Sequence, residues 1–242
     1  MSSVIHVSQV YYPESDGKPI GETDDHRQEI VRHIEILENY YRGQKVCVSG
    51  NLLIYYVQGD PRTYVVPDAF VVKGIPPKNR RTYKLWVEGK SPEVVIETTS
   101  RKTRRKDTKE KPELYARLGI KEYFLFDPHL EYLDPPLQGY RLAGDDYERI
   151  EPDAHGQLES RELGLRLRIG EGHLEFVRRD TGERLLTANE RAERDAERAE
   201  REAERAEREG EARQRETQAR LAAEAEIVRL RAELARRPPL AE

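Results

Sequence analysis

Residues 64–72 read Tyr64-Val65-Val66-Pro67-Asp68-Ala69-Phe70-Val71-Val72. Apart from one proline and one aspartate, the run is β-branched, aromatic or small, the composition of a buried strand. Strand alternation puts Asp68 on one face with Val66, Phe70 and Val72. A second run, Val94-Val95-Ile96-Glu97, repeats the arrangement, with Glu97 sharing a face with Val95. A carboxylate on an apolar strand is costly unless it has a partner. Two of them on neighbouring strands can share a cation. With only oxygen donors, the hard ions Mg²⁺ or Mn²⁺ are favoured. Taken singly, each acid has a plainer alternative, an ion pair with an Arg or Lys.

Around these runs the chain alternates between helical and strand patterns. Residues 12–19 are turn-rich. A helix is expected from Asp25, because Ile30, Ile34, Leu37 and Tyr41 step along one face. Strand-like runs follow over 45–57, with a hairpin around Ser49-Gly50-Asn51, and over 64–72 and 93–99. A helix through Leu114, Tyr115 and Leu118 ends at Gly119. Further strands are expected at 122–126, 139–142, 147–150 and 173–177. The order points to an α/β or α+β domain with a mixed sheet.

Composition changes near Thr187. Residues 190–242 hold 15 acidic and 13 basic side chains and no aromatic, too little apolar surface for a core. They are rich in helix formers. The expected division is a globular domain over 1–186 and a charged helical tail over 187–242. Ala192, Ala196, Ala199, Ala203 and Ala206 have heptad spacing, and Gly210 interrupts the seam. A bulkier seam runs through Ala223, Ile227, Leu230 and Leu234 before Pro238-Pro239. Two readings stay open: a solvated single helix laced by pairs such as Glu197–Arg201 and Glu204–Arg208, or a coiled coil that makes homo-oligomers. The single cysteine, Cys47, excludes an intramolecular disulfide and a thiolate zinc cluster. No apolar run reaches membrane-spanning length, and the first residues do not read as a signal peptide, so a cytoplasmic protein is expected.

Net charge is -4, yet positive charge gathers beside both candidate acids. Residues 73–84 hold five basic and no acidic residues, and residues 101–111 hold seven basic and two acidic. Arg80, Arg81, Arg101, Arg104 and Arg105 are therefore candidates to contact a polyanion backbone, against the plainer reading of a solvated surface. Lys111 precedes Leu114, Tyr115 and Leu118 by three, four and seven residues, which places it on the apolar face of the helix. There it can stabilise phosphorane charge or position a water. A lysine lying along the helix start with its head in water is the alternative. Pro112 suits only a first helical turn. If Asp107 caps the helix, Pro112 costs a hydrogen bond; a start nearer Lys109 leaves Lys111 in a less regular turn.

These residues resemble a family. Pro67-Asp68, then Val-Val-Ile-Glu97-Thr-Thr-Ser100, then Thr103 to Asp107, Lys111 with Leu114-Tyr115-Ala116, and Leu118 to Pro128 look like the Uma-type restriction endonuclease family of the PD-(D/E)xK nuclease superfamily. Tyr12-Pro13, Asp16 to Pro19 and Leu137 to Tyr140 extend the likeness, which covers about residues 11–186. The resemblance implies a restriction-endonuclease-like mixed sheet of four or five strands flanked by helices. It implies Asp68 and Glu97 as Mg²⁺ ligands, with the backbone carbonyl of Thr98 as a third. The superfamily lysine two residues after the Glu is here Thr99. Lys111 matches the family's relocation of that lysine to the next helix. An acid from the first helix often joins such sites, which makes Glu29 and Glu35 candidates. The implied activity is metal-dependent hydrolysis of phosphodiester bonds in DNA. The competing reading is a nuclease fold without turnover that binds or scaffolds through its tail.

Overall fold

The structure, a computed structural model, describes residues 10–17 and 23–235. Lys18-Pro19 of the turn-rich opening and Pro238-Pro239 lie outside the described residues. The chain divides into two compact units, the first running to Thr187 and the second starting at Ala188.

In chain order the first unit contains α1 (Asp24–Tyr40), β1 (Val46–Ser49), β2 (Ile54–Tyr55), β3 (Tyr64–Val65), β4 (Ala69–Lys73), β5 (Tyr83–Lys84) and α2 (Leu85–Glu88). Then come β6 (Val94–Thr98), a π-helical turn (Lys106–Glu110) leading into α3 (Lys111–Arg117), and β7 (Glu122–Phe126). It closes with β8 (Leu137–Ala143), β9 (Asp146–Arg149), β10 (Leu158–Ser160), β11 (Leu165–Gly170) and β12 (His173–Arg178).

The central sheet is six-stranded, in the order β1-β4-β6-β7-β8-β9. Only β6 and β7 run parallel; the other neighbours are antiparallel. The chain thus has an α/β fold with a mixed sheet, wider than the four or five strands implied by resemblance. Side chains alternate across it. Val71, Val94, Ile96, Phe124 and Phe126 pack on one face with Ile36 and Leu37 of α1 and Leu167 and Phe176 of the antiparallel sheet β10-β11-β12. Phe70, Val72, Val95, Tyr123 and Leu125 pack on the other with Tyr115 of α3 and Ile54, Val65 and Tyr83 of the small sheet β3-β2-β5. Each face is covered, so the two helices are held where the sheet's carboxylates need them.

Three local expectations change. The run 64–72 is not one strand: β3 and β4 belong to different sheets, and Pro67, with no N–H for a ladder, marks the break. The hairpin around Ser49-Gly50-Asn51 does not form, because β1 pairs with β4 and β2 with β3 and β5. The segment instead packs on the break, with the Asn51 amide donating to the Pro67 carbonyl at 2.9 Å. Strands β10 and β11 are additional to the expected strands, and Leu165-Arg166-Leu167-Arg168-Ile169 carries the alternation of β11.

The second unit is one helix, α4 (Ala188–Ala235), 48 residues long and continuous through Gly210. Ion pairs at i,i+4 run along it, among them Glu197–Arg201 at 3.4 Å and Glu204–Arg208 at 3.2 Å. Leu221, Ile227, Val228 and Leu230 are exposed on it. Among the described residues no helix is long and apolar enough to cross a membrane.

Candidate active site

The register of β4 against β6 brings the two strand acids together. Ala69 pairs with Ile96, which puts Asp68, one residue earlier, opposite Glu97. Each carboxylate accepts a backbone amide from the opposite strand segment. The Asp68 amide donates to Glu97 Oε2 at 3.2 Å, and the Thr98 amide donates to Asp68 Oδ2 at 2.8 Å. Gly50 makes room for this. A Cβ there would lie 1.9 Å from the Asp68 carbonyl oxygen, so any side chain would displace the aspartate.

Glu97 is fully buried. Its Oε1 accepts the Tyr115 hydroxyl at 2.6 Å, and its Oε2 lies 2.8 Å from Lys111 Nζ. Burial pushes its carboxyl up, to about 8; Lys111 works against the rise, and Asp68 and Asp107 add to it. Burial disfavours the Lys111 charge, but Glu97, Asp107 and Asp68 outweigh that and hold the ammonium above its ordinary pKa. The Tyr115 hydroxyl is raised by burial and by the Glu97 charge, and so stays a donor.

The helix start explains how Lys111 reaches inward past a proline. Between Lys106 and Glu110 the chain takes a π-turn, and the Lys111 amide donates to the Lys106 carbonyl. In that wider register the next rung would join the Pro112 nitrogen to the Asp107 carbonyl, and proline has no hydrogen to give. The Tyr123 hydroxyl fills the gap, donating to the Asp107 carbonyl at 2.8 Å. Asp107 is therefore not a helix cap. Its side chain is buried, with Oδ1 2.9 Å from Lys111 Nζ.

From α1 the residue at the site is His26. Its Nε2 bonds the Thr98 carbonyl and lies 3.8 Å from Asp68 Oδ2. Glu29 is engaged elsewhere: His173 Nδ1 lies 2.5 Å from its Oε1 and His33 Nε2 3.3 Å from its Oε2. Burial raises the Glu29 carboxyl, but the bonds and charge of those histidines outweigh it and lower its pKa. Glu35 is half-buried, and its place in α1 puts it on the side opposite His26.

The basic residues separate into two kinds. Arg101, Arg104 and Arg105 are exposed beside the π-turn. Arg81 is exposed and meets Glu14 at 2.5 Å. Arg80 is a correction: its side chain is 4% exposed, with Nε 2.9 Å from Glu88 Oε1 and Nη2 3.0 Å from Oε2, and it serves the packing of α2. An arginine bound at both ends of its fork has nothing left for a phosphate.

The donor set suits a hard cation. Glu97 and Asp107 both meet the ammonium of Lys111, and the part-buried Asp68 carboxylate lies beside Glu97, an all-oxygen set of the kind hard cations take. Among the described residues no three His, Cys, Asp or Glu side chains form a metal cluster. The Thr98 carbonyl lies next to both acids and bonds His26 Nε2.

No curated protein matches the chain. Among solved structures, one described as a "putative nuclease belonging to DUF820 from Anabaena variabilis ATCC 29413" aligns with a TM-score of 0.44 and 17% identity. The alignment covers 59% of this chain and 75% of that one. The family model described as "Uma2: Putative restriction endonuclease" matches residues 10–170, well over half of the chain and inclusive of Asp68, Glu97, Thr98, Asp107 and Lys111. The chain therefore belongs to the Uma2 family of putative restriction endonucleases.

Proposed function

We propose that the protein is a metal-dependent phosphodiesterase that cuts DNA, with Mg²⁺ or Mn²⁺ held by Asp68, Glu97 and the Thr98 carbonyl. The observation that carries this reading is the convergence of Asp68, Glu97 and Lys111 at one place, where only a β-sheet register and a π-turn bring them together. When bound, the cation supplies Lewis acidity toward the scissile phosphate and lowers the pKa of an attacking water.

The chain's own residues do the rest. The Thr98 amide and the Tyr115 hydroxyl fix the two carboxylates, so little reorganisation precedes reaction. Lys111 keeps a positive charge where negative charge grows on the phosphate. Arg101, Arg104 and Arg105, with Arg81 of the first basic run, grip the backbone without reading bases. The setting that fits this chemistry is cytoplasmic, and exposed Ile227 and Leu230 of α4 support self-association through that helix.

The test is incubation of the purified protein with plasmid DNA and RNA in Mg²⁺ or Mn²⁺, beside Asp68→Ala. Cleavage that needs the metal and fails in the variant supports the reading. A wild type that cuts no nucleic acid with either metal overturns it and favours a nuclease-fold scaffold acting through α4.

A further inference from the structure

Lys111 Nζ has two carboxyl partners, Glu97 Oε2 at 2.8 Å and Asp107 Oδ1 at 2.9 Å. The two partners differ. Glu97 Oε2 also accepts the Asp68 amide, and it is the oxygen left over once Tyr115 has taken Oε1. Asp107 is 1% exposed, and neither of its carboxylate oxygens makes a hydrogen bond among the described residues; its one ionic partner is Lys111. A buried carboxylate with a single partner has no other evident work to do.

A cation drawn to Glu97 repels the ammonium beside it. An ammonium held by Glu97 alone would then either compete with the metal or be left buried without an anion. Asp107 removes that conflict. Its backbone is pinned at both ends, its amide donating to the Thr103 carbonyl at 3.0 Å and its carbonyl accepting from Tyr123 at 2.8 Å. The backbone that carries the carboxylate is therefore fixed whichever partner Glu97 takes.

We propose that Asp107 is a positioning residue: it retains Lys111 when Glu97 engages a cation, so that the lysine serves as a fixed charge and not as a rival for the metal ligand. This rests on the reading of Asp68 and Glu97 as metal ligands.

Two measurements test it, neither requiring cleavage. The first follows acetylation of Lys111 by mass spectrometry in the metal-free protein, with exposed Lys90 and Lys121 as internal controls. Glu97→Gln removes the carboxylate that a cation would engage. Lys111 should label within about threefold of its wild-type rate in Glu97→Gln, and at least about tenfold faster in Glu97→Gln/Asp107→Asn. Fast labelling in Glu97→Gln alone, or continued protection in the double variant, overturns the proposal. If the double variant does not fold, Asp107→Ser in the same background gives the same comparison.

The second measurement is Mn²⁺ affinity. Asp107→Asn should weaken Mn²⁺ binding by about tenfold, and should change nothing once Lys111→Met is present. An equal loss with Lys111→Met in place would make Asp107 a direct ligand and overturn the proposal. A wild type that binds no Mn²⁺ sinks the metal-ligand reading and with it the purpose of the hold, whereas a labelling failure in a protein that does bind Mn²⁺ sinks the role of Asp107 alone.

Discussion

The Tyr115 hydroxyl donates to Glu97 Oε1 at 2.6 Å, so the two oxygens of this carboxylate are unequal: one is fixed by a helix, the other faces Lys111 and the Asp68 amide. A cation should therefore depend on Glu97 strongly and on Tyr115 indirectly. Mn²⁺ titration should show binding that Glu97→Ala all but removes and that Tyr115→Phe weakens by roughly tenfold, the size of a lost outer-shell bond. Equal binding by wild type and an Asp68→Ala/Glu97→Ala double variant would dismiss the site.

Lys111 should matter for turnover and not for metal binding. Lys111→Met keeps the stem and removes the charge. DNA cleavage should fall by about a hundredfold or more while Mn²⁺ still binds, because a group acting in the transition state affects turnover more than ground-state binding. Lys109→Met, on the exposed side of the π-turn, should leave the rate unchanged. The opposite pattern in a cleavage assay would show that the wrong lysine has been assigned.

Stability should carry the mark of Glu97. Its carboxyl is pushed up to about 8 in the fold against an ordinary 4.5, so the folded chain binds that proton more tightly than the unfolded chain. The contribution is present in full below pH 4.5 and is lost as pH rises towards 8. In metal-free buffer the wild-type melting temperature should therefore fall relative to Glu97→Gln between those limits. Added Mn²⁺ should flatten the difference, since a cation takes the place of the proton. Parallel melting curves for the two proteins across that range would contradict the account.

Much of this site is legible in sequence, and the illegible part has a physical cause. Alternation puts Asp68 and Glu97 on faces of apolar strands, and a helical stripe puts Lys111 with Tyr115; all three lie together in the structure. Asp107 is hidden by its surroundings, since an acid in a run of seven basic residues reads as a solvated cap. Its burial depends on a π-turn, which a period of 3.6 residues does not register. The family's frequent acid from α1 pointed to Glu29 and Glu35, whereas His26 lies at the site, a full turn nearer the capped end of the helix. Pro67 marks the breakup of residues 64–72 into two sheets, while the hydrophobic pattern continues through it and masks the break.

Exposure sorts the arginines into two kinds of effect. Arg104→Ala/Arg105→Ala should weaken binding to all DNA sequences alike and lower the log–log salt slope by about two. Arg80→Ala should leave that slope alone and lower the melting temperature, because it breaks a nearly buried fork-to-carboxylate pair with Glu88. Fluorescence anisotropy over a salt series reads the first effect and calorimetry the second. A slope that moves with Arg80 and not with Arg104 and Arg105 would reverse the assignment.

Removing residues 190–242 should leave a folded domain, since the core clusters include no residue of α4. Sedimentation of the full and shortened chains should show whether self-association goes with the helix. An unfolded shortened chain would mean that the domain needs its tail.

The π-turn also has a mechanical meaning. It is a surplus of one residue in a helix, and a helix with a surplus can be wound on either of two ladders. Lys111 stands on the C-terminal side of the surplus, anchored to the sheet, while Arg104 and Arg105 stand on the N-terminal side. Taking up the slack would swing those arginines by about 100° around the axis and leave the lysine where it is. A shift of a single residue at this turn would therefore re-aim the exposed arginines without moving Lys111.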